Sequence, residues 1–308
     1  MLTPTPPRAH LNRHTIGSVA LTAALVLTGM PAHAGPLRDR LAERGHEGMP
    51  PGTQSLRNLA YGPSPEQRLD VYLPPAAVRH TPGKPLLFMV HGGGWSRGDK
   101  TAATVVLHKL AHWSAQGVVV VSVNYRMRPE ADPLVQAQDV ARALAHVQTQ
   151  AHGWGADATR VVALGHSAGA HLVSLLASAP DLVQAAGARP VWGTVALDSA
   201  AFDVPAILNA RHLPLYDEAF GADPALWRAA SPLHRLTQAG APLMAVCSTR
   251  RKAACEQAHA YQAHAQRLGM RVTVLGQDLS HRDINDQLGL PGPYTDAVDA
   301  FISTLEAR

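Results

Sequence analysis

The chain has 308 residues, 46% of them hydrophobic and 16% charged, an ordinary composition for a globular protein with a substantial core, in one large domain or two small ones. Its 27 lysines and arginines exceed its 23 aspartates and glutamates by only four, and no long basic run or stripe is present. This small positive charge argues against a nucleic acid as partner.

The first 34 residues have the order of a secretory signal. Arg8 and Arg13 precede an apolar run over 16–29, and the stretch MPAHA (30–34) then ends in small residues. A membrane anchor is the alternative, but a span needs about 20 apolar residues and this run is shorter. We therefore predict a signal peptide over 1–34, cleavage after Ala34, no stable membrane span after cleavage, and a periplasmic or secreted protein.

Residues 35–60 mix charged residues with glycine and proline without a sustained period, which predicts an irregular lead-in with at most one short helix. Beyond it, short valine-rich apolar runs alternate with segments of helix formers at helical spacing. The runs predicted to be strands are 68–73, 85–90, 117–123, 160–165, 192–197, 242–247 and 271–276. The segments predicted to be helical are 102–116, 133–150, 168–179, 255–269 and 294–308.

This alternation predicts an α/β sandwich, with a mostly parallel central sheet and helices on both of its faces. No internal repeat or low-complexity linker divides the chain, so we expect a single domain over 35–308. The stretch 199–240 is longer than a plain crossover needs. It is predicted to form a small partial lid over one end of the sheet.

The pentapeptide HGGGW (91–95) directly follows the predicted strand at 85–90. Consecutive glycines let the backbone bend until its N–H groups point at a substrate oxygen. Gly93 and Gly94 are therefore predicted donors of an oxyanion hole. The alternative is a flexible glycine loop that has no catalytic role.

A second pentapeptide, GHSAG (165–169), lies between a predicted strand and a predicted helix. In the pattern Gly-x-Ser-x-Gly the chain turns sharply, and side chains at the flanking positions would collide with neighbouring backbone. The turn places the Ser167 hydroxyl at the carboxyl edge of the sheet, beside a helix N-terminus that favours negative charge. Ser167 is thus the predicted nucleophile and the Ala168 N–H a further oxyanion donor, whereas a turn that serves packing alone is the alternative.

Together with LDVYLP, VSVNYRMRPE and AFGADPALWRAASPL, these motifs resemble the α/β-hydrolase superfamily, in its esterase and lipase group with an HGGG loop. More narrowly, the chain resembles the carboxylesterase, feruloyl-esterase-like and kynurenine-formamidase-like branch, over roughly residues 60–305. The resemblance implies an α/β-hydrolase fold with a histidine after the last strand, where this sequence has His281. His281 is the predicted general base, and His166 and His91 are expected to shape the elbow and the oxyanion loop.

The catalytic acid departs from the family pattern. Relatives usually carry it after the strand at 242–247, but that loop here reads STRRKAAC and holds basic residues instead, Arg250, Arg251 and Lys252. We predict that Asp198, at the carboxyl end of the neighbouring strand, is the acid. The alternatives are Asp203, Asp278 and Glu256.

The chain contains two cysteines, Cys247 and Cys255. Because an oxidising compartment allows a disulfide, we predict that they are bridged, which stabilises the fold by roughly 2–3 kcal/mol in the chain-entropy model. Two free, partly buried thiols are the alternative.

These residues predict a serine esterase that cleaves small-molecule carboxylic esters through an acyl-enzyme. No metal or cofactor is required, since the histidines show no HExxH or similar spacing and no phosphate-binding glycine loop is present. Two alternatives remain open, an amidase of the arylformamidase type and a catalytically weak or inactive binding protein that kept the fold after losing its acid. The sequence leaves the oligomeric state unknown.

Overall fold

The structure is a computed structural model that describes residues 49–79 and 83–305. These residues form an eight-stranded sheet. Its strands are β1 (Gln54–Ala60), β2 (Arg68–Leu73), β3 (Leu86–Val90), β4 (Val119–Val123), β5 (Val161–His166), β6 (Gly193–Leu197), β7 (Leu243–Ser248) and β8 (Val272–Gln277). Every segment predicted to be a strand is one, with ends that differ from the prediction by two residues at most. The predicted signal over 1–34 lies outside the described residues.

The strand order is β1-β2-β4-β3-β5-β6-β7-β8. The pairs β1–β2 and β2–β4 are antiparallel, and all other neighbours are parallel. Phe88 at the centre of β3 aligns with Val121 on one side and Ala163 on the other. The predicted mostly parallel sheet is confirmed, and β3 and β5 to β8 end at the same edge.

The prediction of an irregular lead-in was wrong for residues 54–60, which form the edge strand β1. Side chains along β1 alternate between exposed and half-buried, and none is fully buried. The pairing with β2 shifts register between Leu56 and Leu59. Because an edge strand with a half-buried face needs no run of apolar residues, this segment lacked the pattern by which the other strands were recognised.

The helices cover both faces of the sheet, as predicted. They are α1 (Ala103–Lys109), α2 (Pro133–Gln150), α3 (Ala168–Ser178), α4 (Pro180–Ala185), α5 (Val204–Leu208), α6 (Pro214–Phe220), α7 (Pro224–Ala229), α8 (Pro232–Arg235), α9 (Lys252–Arg267), α10 (His281–Asp286) and α11 (Pro293–Ser303). One core layer joins the sheet to α2, α3 and α9, and the other joins it to α1, α10 and α11. Burial of strand residues on both faces explains their valine-rich sequences.

The segment between β6 and β7 contains the short helices α5 to α8. Its residues Val204, Ala219 and Phe220 form a small apolar cluster with Trp95 and Ala168. The segment therefore packs against the loop after β3 and the start of α3, and so lies over one end of the sheet, as a partial lid would. No helix within the described ranges is long and apolar enough to cross a membrane.

Candidate active site

Ser167 is the single residue between β5 and α3, and its backbone has a φ of 56°. A Cβ atom at Gly165 would lie 2.3 Å from the carbonyl oxygen of Gly169, and one at Gly169 would lie 2.2 Å from that of Val90. Both positions therefore require glycine. The Ser167 N–H donates to the carbonyl of Leu197 at 2.9 Å, which ties the turn to the next strand.

The glycine loop after β3 runs directly beside this turn. A Cβ atom at Gly92 would lie 2.7 Å from the carbonyl oxygen of His166 and 3.0 Å from the Cβ of Ser167. Gly93 and Gly94 both have positive φ angles, 122° and 61°. Their N–H groups, and that of Ala168 at the start of α3, donate to no acceptor within the described part of the chain. The loop and the helix thus present unused donors around the serine.

His281 links the serine to a carboxylate. Its Nε2 lies 3.0 Å from Oγ of Ser167, and its Nδ1 lies 2.5 Å from Oδ2 of Asp198. Asp198 directly follows β6 and has a φ of 52°. Its side chain is fully buried, and its Oδ1 accepts the N–H of Ser248 at 2.8 Å. The structure therefore brings the predicted nucleophile, base and acid into one hydrogen-bonded series.

Arg251 joins this series from the loop after β7. Its Nη1 donates to Oδ2 of Asp198 and lies 2.7 Å from Nδ1 of His281. Burial on its own raises the pKa of the Asp198 carboxyl, but hydrogen bonds from His281 and the Ser248 N–H, together with the positive charge of Arg251, hold this pKa below its usual range. Asp198 is accordingly an ionised, fully hydrogen-bonded carboxylate.

The other candidate acids are engaged elsewhere. Asp203 caps the N-terminus of α5 and pairs with His234 at 3.1 Å. Asp278 is exposed and pairs with Arg250, and Glu256 pairs with Lys252 one turn away on α9. Among the described contacts, none of these carboxylates reaches His281.

Cys247 and Cys255 are joined by a disulfide, as predicted. Cys247 belongs to β7 and Cys255 to the first turn of α9. The bridge thus closes the loop that carries Arg251. It holds the loop where the guanidinium meets the carboxylate of Asp198.

His166 and His91, which were expected to shape the elbow and the oxyanion loop, both contact the backbone or side chains around the site. Nε2 of His166 donates to the backbone carbonyl of His281 at 2.8 Å, and burial lowers the pKa of His166 to about 3. The buried ring of His91 stacks on Tyr125, whose hydroxyl donates to the His91 carbonyl at 2.8 Å. These contacts fix the backbone of the elbow, the glycine loop and the His281 turn relative to one another.

Two further supporting residues were missed by sequence reasoning. Nε1 of Trp95 donates to Nδ1 of His171 at 3.2 Å, and Nε2 of His171 donates to the carbonyl of Ala230 at 2.7 Å. Burial lowers the pKa of His171 to about 4, so its ring is neutral in this chain of bonds. The sequence contained a signal for both residues, because Trp95 is the last residue of the motif HGGGW and His171 belongs to the motif GHSAGAHL.

Comparison with known proteins finds several hydrolases that are similar to part of this chain. A family model described as BD-FAE matches residues 69–196. The chain is 32% identical over 158 residues to a kynurenine formamidase of Danio rerio, and 31% identical over 122 residues to a probable isoprenylcysteine alpha-carbonyl methylesterase of Oryza sativa subsp. japonica. These matches cover 51% and 40% of this chain but only 50% and 27% of the two relatives.

Solved structures show the same architecture over a longer stretch. Esterase B of Lactobacillus rhamnosis superposes with a TM-score of 0.68 at 20% identity, covering 88% of this chain and 91% of that one. A thermophilic esterase of Thermogutta terrifontis gives a TM-score of 0.66 at 20% identity, covering 83% and 93% of the two chains. The predicted α/β-hydrolase fold is therefore confirmed.

Proposed function

We propose that this chain, which has the fold of the α/β-hydrolases, is an exported serine hydrolase that cleaves carboxylic esters through an acyl-enzyme on Ser167. One observation carries the proposal. It is the continuous hydrogen-bonded series from Asp198 through His281 to Ser167, set beside unused backbone donors. A nucleophile, a base within reach of it and a group that orients the base are the parts that acyl transfer requires.

The geometry supports a definite order of proton movements. Nδ1–H of His281 donates to Asp198, which leaves the lone pair of Nε2 free to take the proton of Ser167 as Oγ attacks the ester carbonyl. The N–H groups of Gly93, Gly94 and Ala168 stabilise the negative charge that develops on the carbonyl oxygen. His281 then protonates the departing alcohol, and water repeats the sequence on the acyl-enzyme.

The comparisons support an ester as substrate and keep an amide as the alternative. Several of the similar proteins are named esterases or methylesterases, whereas the Danio rerio relative is named a kynurenine formamidase. An arylformamide is therefore the second candidate substrate. Export is proposed from the order of residues 1–34, with support from the Cys247–Cys255 bridge, since disulfides persist in oxidising compartments.

Turnover of short p-nitrophenyl esters by the purified chain 35–308 tests the proposal directly. We expect hydrolysis by the wild type and none above background by Ser167→Ala, because that substitution removes the nucleophile without altering the core. Ser303→Ala, at the exposed end of α11, is the matched control and keeps full activity.

Three outcomes decide between the alternatives. An active Ser167→Ala variant contradicts the proposed nucleophile. Faster turnover of an N-formyl arylamine than of any ester favours the formamidase reading. Absence of turnover with both substrate classes favours a binding protein.

A further inference from the structure

A cavity of about 360 Å³ opens beside the proposed catalytic groups. Gly92 and Gly93 of the glycine loop line one part of it, and His281 and Asn285 of α10 line another. The cavity therefore borders one of the proposed oxyanion donors, Gly93, and the base His281. A group attached to an ester held at Ser167 has this space within reach.

Two arginines border this cavity without a partner. Arg97 follows the glycine loop and Arg282 follows the base, and both side chains are exposed. Within residues 49–79 and 83–305, neither guanidinium makes an ion pair or a hydrogen bond. By contrast, Arg126 and Arg250 each pair with an aspartate at 2.7 Å.

One carboxylate, that of Asp99, also lines the cavity and is held by three hydrogen bonds within the protein. Its Oδ1 accepts the hydroxyl and the N–H of Thr101 at 2.5 and 2.7 Å, and its Oδ2 accepts from Asn124 at 2.9 Å. These partners are neutral, and among the described contacts Asp99 forms no ion pair with Arg97 or Arg282. The wall of the cavity keeps an excess of positive charge.

Asn285 adds a polar group of a different kind. It is only 5% exposed, and its side-chain amide has no hydrogen-bond partner among the described residues. Its backbone is held in place, because its carbonyl accepts from the buried Nζ of Lys109 at 2.5 Å. Because Asn285 lines the cavity, its amide is available to donate a hydrogen bond to a polar group of a ligand.

We propose that this cavity binds a negatively charged group of the substrate, a carboxylate or an anion of like geometry, through Arg97 and Arg282 with Asn285 as a neutral donor. The inference rests on the proposed function and narrows its substrate class to anionic esters. The planar guanidinium fork matches a carboxylate with two parallel hydrogen bonds, and a partly enclosed site screens this attraction less than open solvent does.

Two matched pairs of esters test the proposal and identify which half of the substrate carries the charge. The 4-nitrophenyl ester of adipic acid places a carboxylate in the acyl half, and 4-acetoxybenzoate places one in the alcohol half. The neutral partners are the 4-nitrophenyl ester of adipic acid monoamide and 4-acetoxybenzamide. The readout is the ratio of kcat/KM for the charged ester to that for its neutral partner.

We expect the wild type to favour the charged member of at least one pair. The double variant Arg97→Gln/Arg282→Gln is expected to lower that ratio at least tenfold, and 0.5 M NaCl to lower it in the wild type alone. Arg189→Gln, an exposed arginine outside the cavity, is the matched control and leaves the ratio unchanged. A ratio that the double variant leaves unchanged in both pairs overturns the inference.

A binding measurement separates this inference from the proposed function. If the wild type turns over no ester at all, the proposed function fails. Calorimetric titration of monomethyl adipate into the Ser167→Ala chain still measures whether the cavity binds an anion. Binding that is lost in the Arg97→Gln/Arg282→Gln background supports the anion site. Absence of binding at millimolar ligand, or binding that the arginine variants leave intact, contradicts it.

Discussion

Oδ2 of Asp198 accepts from two donors at once, Nδ1 of His281 and Nη1 of Arg251. A guanidinium beside this carboxylate neutralises part of the negative charge that would otherwise stabilise a protonated imidazole. At the scale of single residues, the site therefore differs from a simple serine, histidine and aspartate series. Arg251 is a positioning residue, since it acts on the base through the acid.

Replacing Asp198 by asparagine is expected to keep the shape of the site and lower kcat by roughly 10³–10⁴, because an amide no longer holds the tautomer of His281 that accepts the serine proton. Asp203→Asn and Asp278→Asn are the controls, since those carboxylates lie in other contacts, and each should cost far less. Steady-state kinetics with a p-nitrophenyl ester provides the measurement. Near-wild-type kcat in Asp198→Asn would mean that another group orients His281.

Arg251→Met is expected to move the acidic limb of the kcat/KM profile to higher pH, because the positive charge of Arg251 helps to hold the pKa of Asp198 below its usual range. Removal of that charge lets the Asp198 carboxylate take up a proton at higher pH, and a protonated Asp198 no longer orients the ring of His281. His166 also faces this ring, but with a pKa of about 3 it stays neutral over the profile.

Arg250→Met is the matched control for this shift, since Arg250 forms an exposed pair with Asp278. Its profile should coincide with that of the wild type. An acidic limb that Arg251→Met leaves in place, or moves to lower pH, contradicts the role assigned to Arg251.

At the scale of elements, the short helix α10 holds the base in position. Its N-cap Ser280 accepts the N–H of Asp283 at 3.1 Å. Two of its backbone carbonyls accept hydrogen bonds from buried side chains of other elements. The carbonyl of Asn285 accepts from Nζ of Lys109 at 2.5 Å, and that of Ile284 accepts from the hydroxyl of Tyr294 at 2.8 Å. A helix of six residues has little stability of its own, so these tertiary bonds place His281.

The turn from β5 to α3 gives an element-scale prediction. In Gly169→Ala the new Cβ would meet the carbonyl oxygens of Val90 and His91 at 2.2 and 2.5 Å, and β3 cannot move because it pairs on both sides. We expect a loss of ~3 kcal/mol in the free energy of unfolding and at least a tenfold loss of kcat. Urea unfolding and ester kinetics measure the two effects.

Gly153→Ala is the control for this steric effect, since no atom lies within 4 Å of a Cβ at that position. It should leave both quantities near the wild-type values. A Gly169→Ala variant as stable and active as Gly153→Ala would show that the elbow tolerates a side chain.

At the scale of the whole molecule, the parallel sheet collects the site at one edge. The glycine loop follows β3, Ser167 follows β5, Asp198 follows β6, and His281 comes shortly after β8. Ser167 and His281, which are 114 positions apart in sequence, thus come within hydrogen-bonding reach.

Export and oxidation give a prediction for the whole chain. Protein recovered from the periplasm or medium should begin at Gly35 by mass spectrometry and show no titratable thiol when denatured without reductant. Reduction of the Cys247–Cys255 bridge should lower the free energy of unfolding by roughly 2–3 kcal/mol. Two free thiols in exported material, or an intact residue 1, would contradict this assignment.

The sequence by itself determined the features whose signal is local. Buried strands of a parallel sheet are apolar on both faces, so their apolar segments could be recognised in the sequence. HGGGW and GHSAG could be recognised as well, because they contain glycines at positions where a Cβ would collide with backbone. Strand β1 was not predicted, because an edge strand with one half-buried face contains no continuous apolar segment. The position of His281 after the last strand followed from the resemblance that those motifs carried.

The tertiary structure decided the contacts between segments distant in sequence. Sequence reasoning left three alternatives to Asp198 as the catalytic acid. The pairing of β6 with β7 and the placement of α10 bring the Asp198 carboxylate into contact with His281. The contact of Arg251 with that carboxylate had no local signature beyond a basic loop. Charges and hydrogen bonds act over a few ångströms, and the distances that set them arise from strand order and helix packing, which no short stretch of sequence encodes alone.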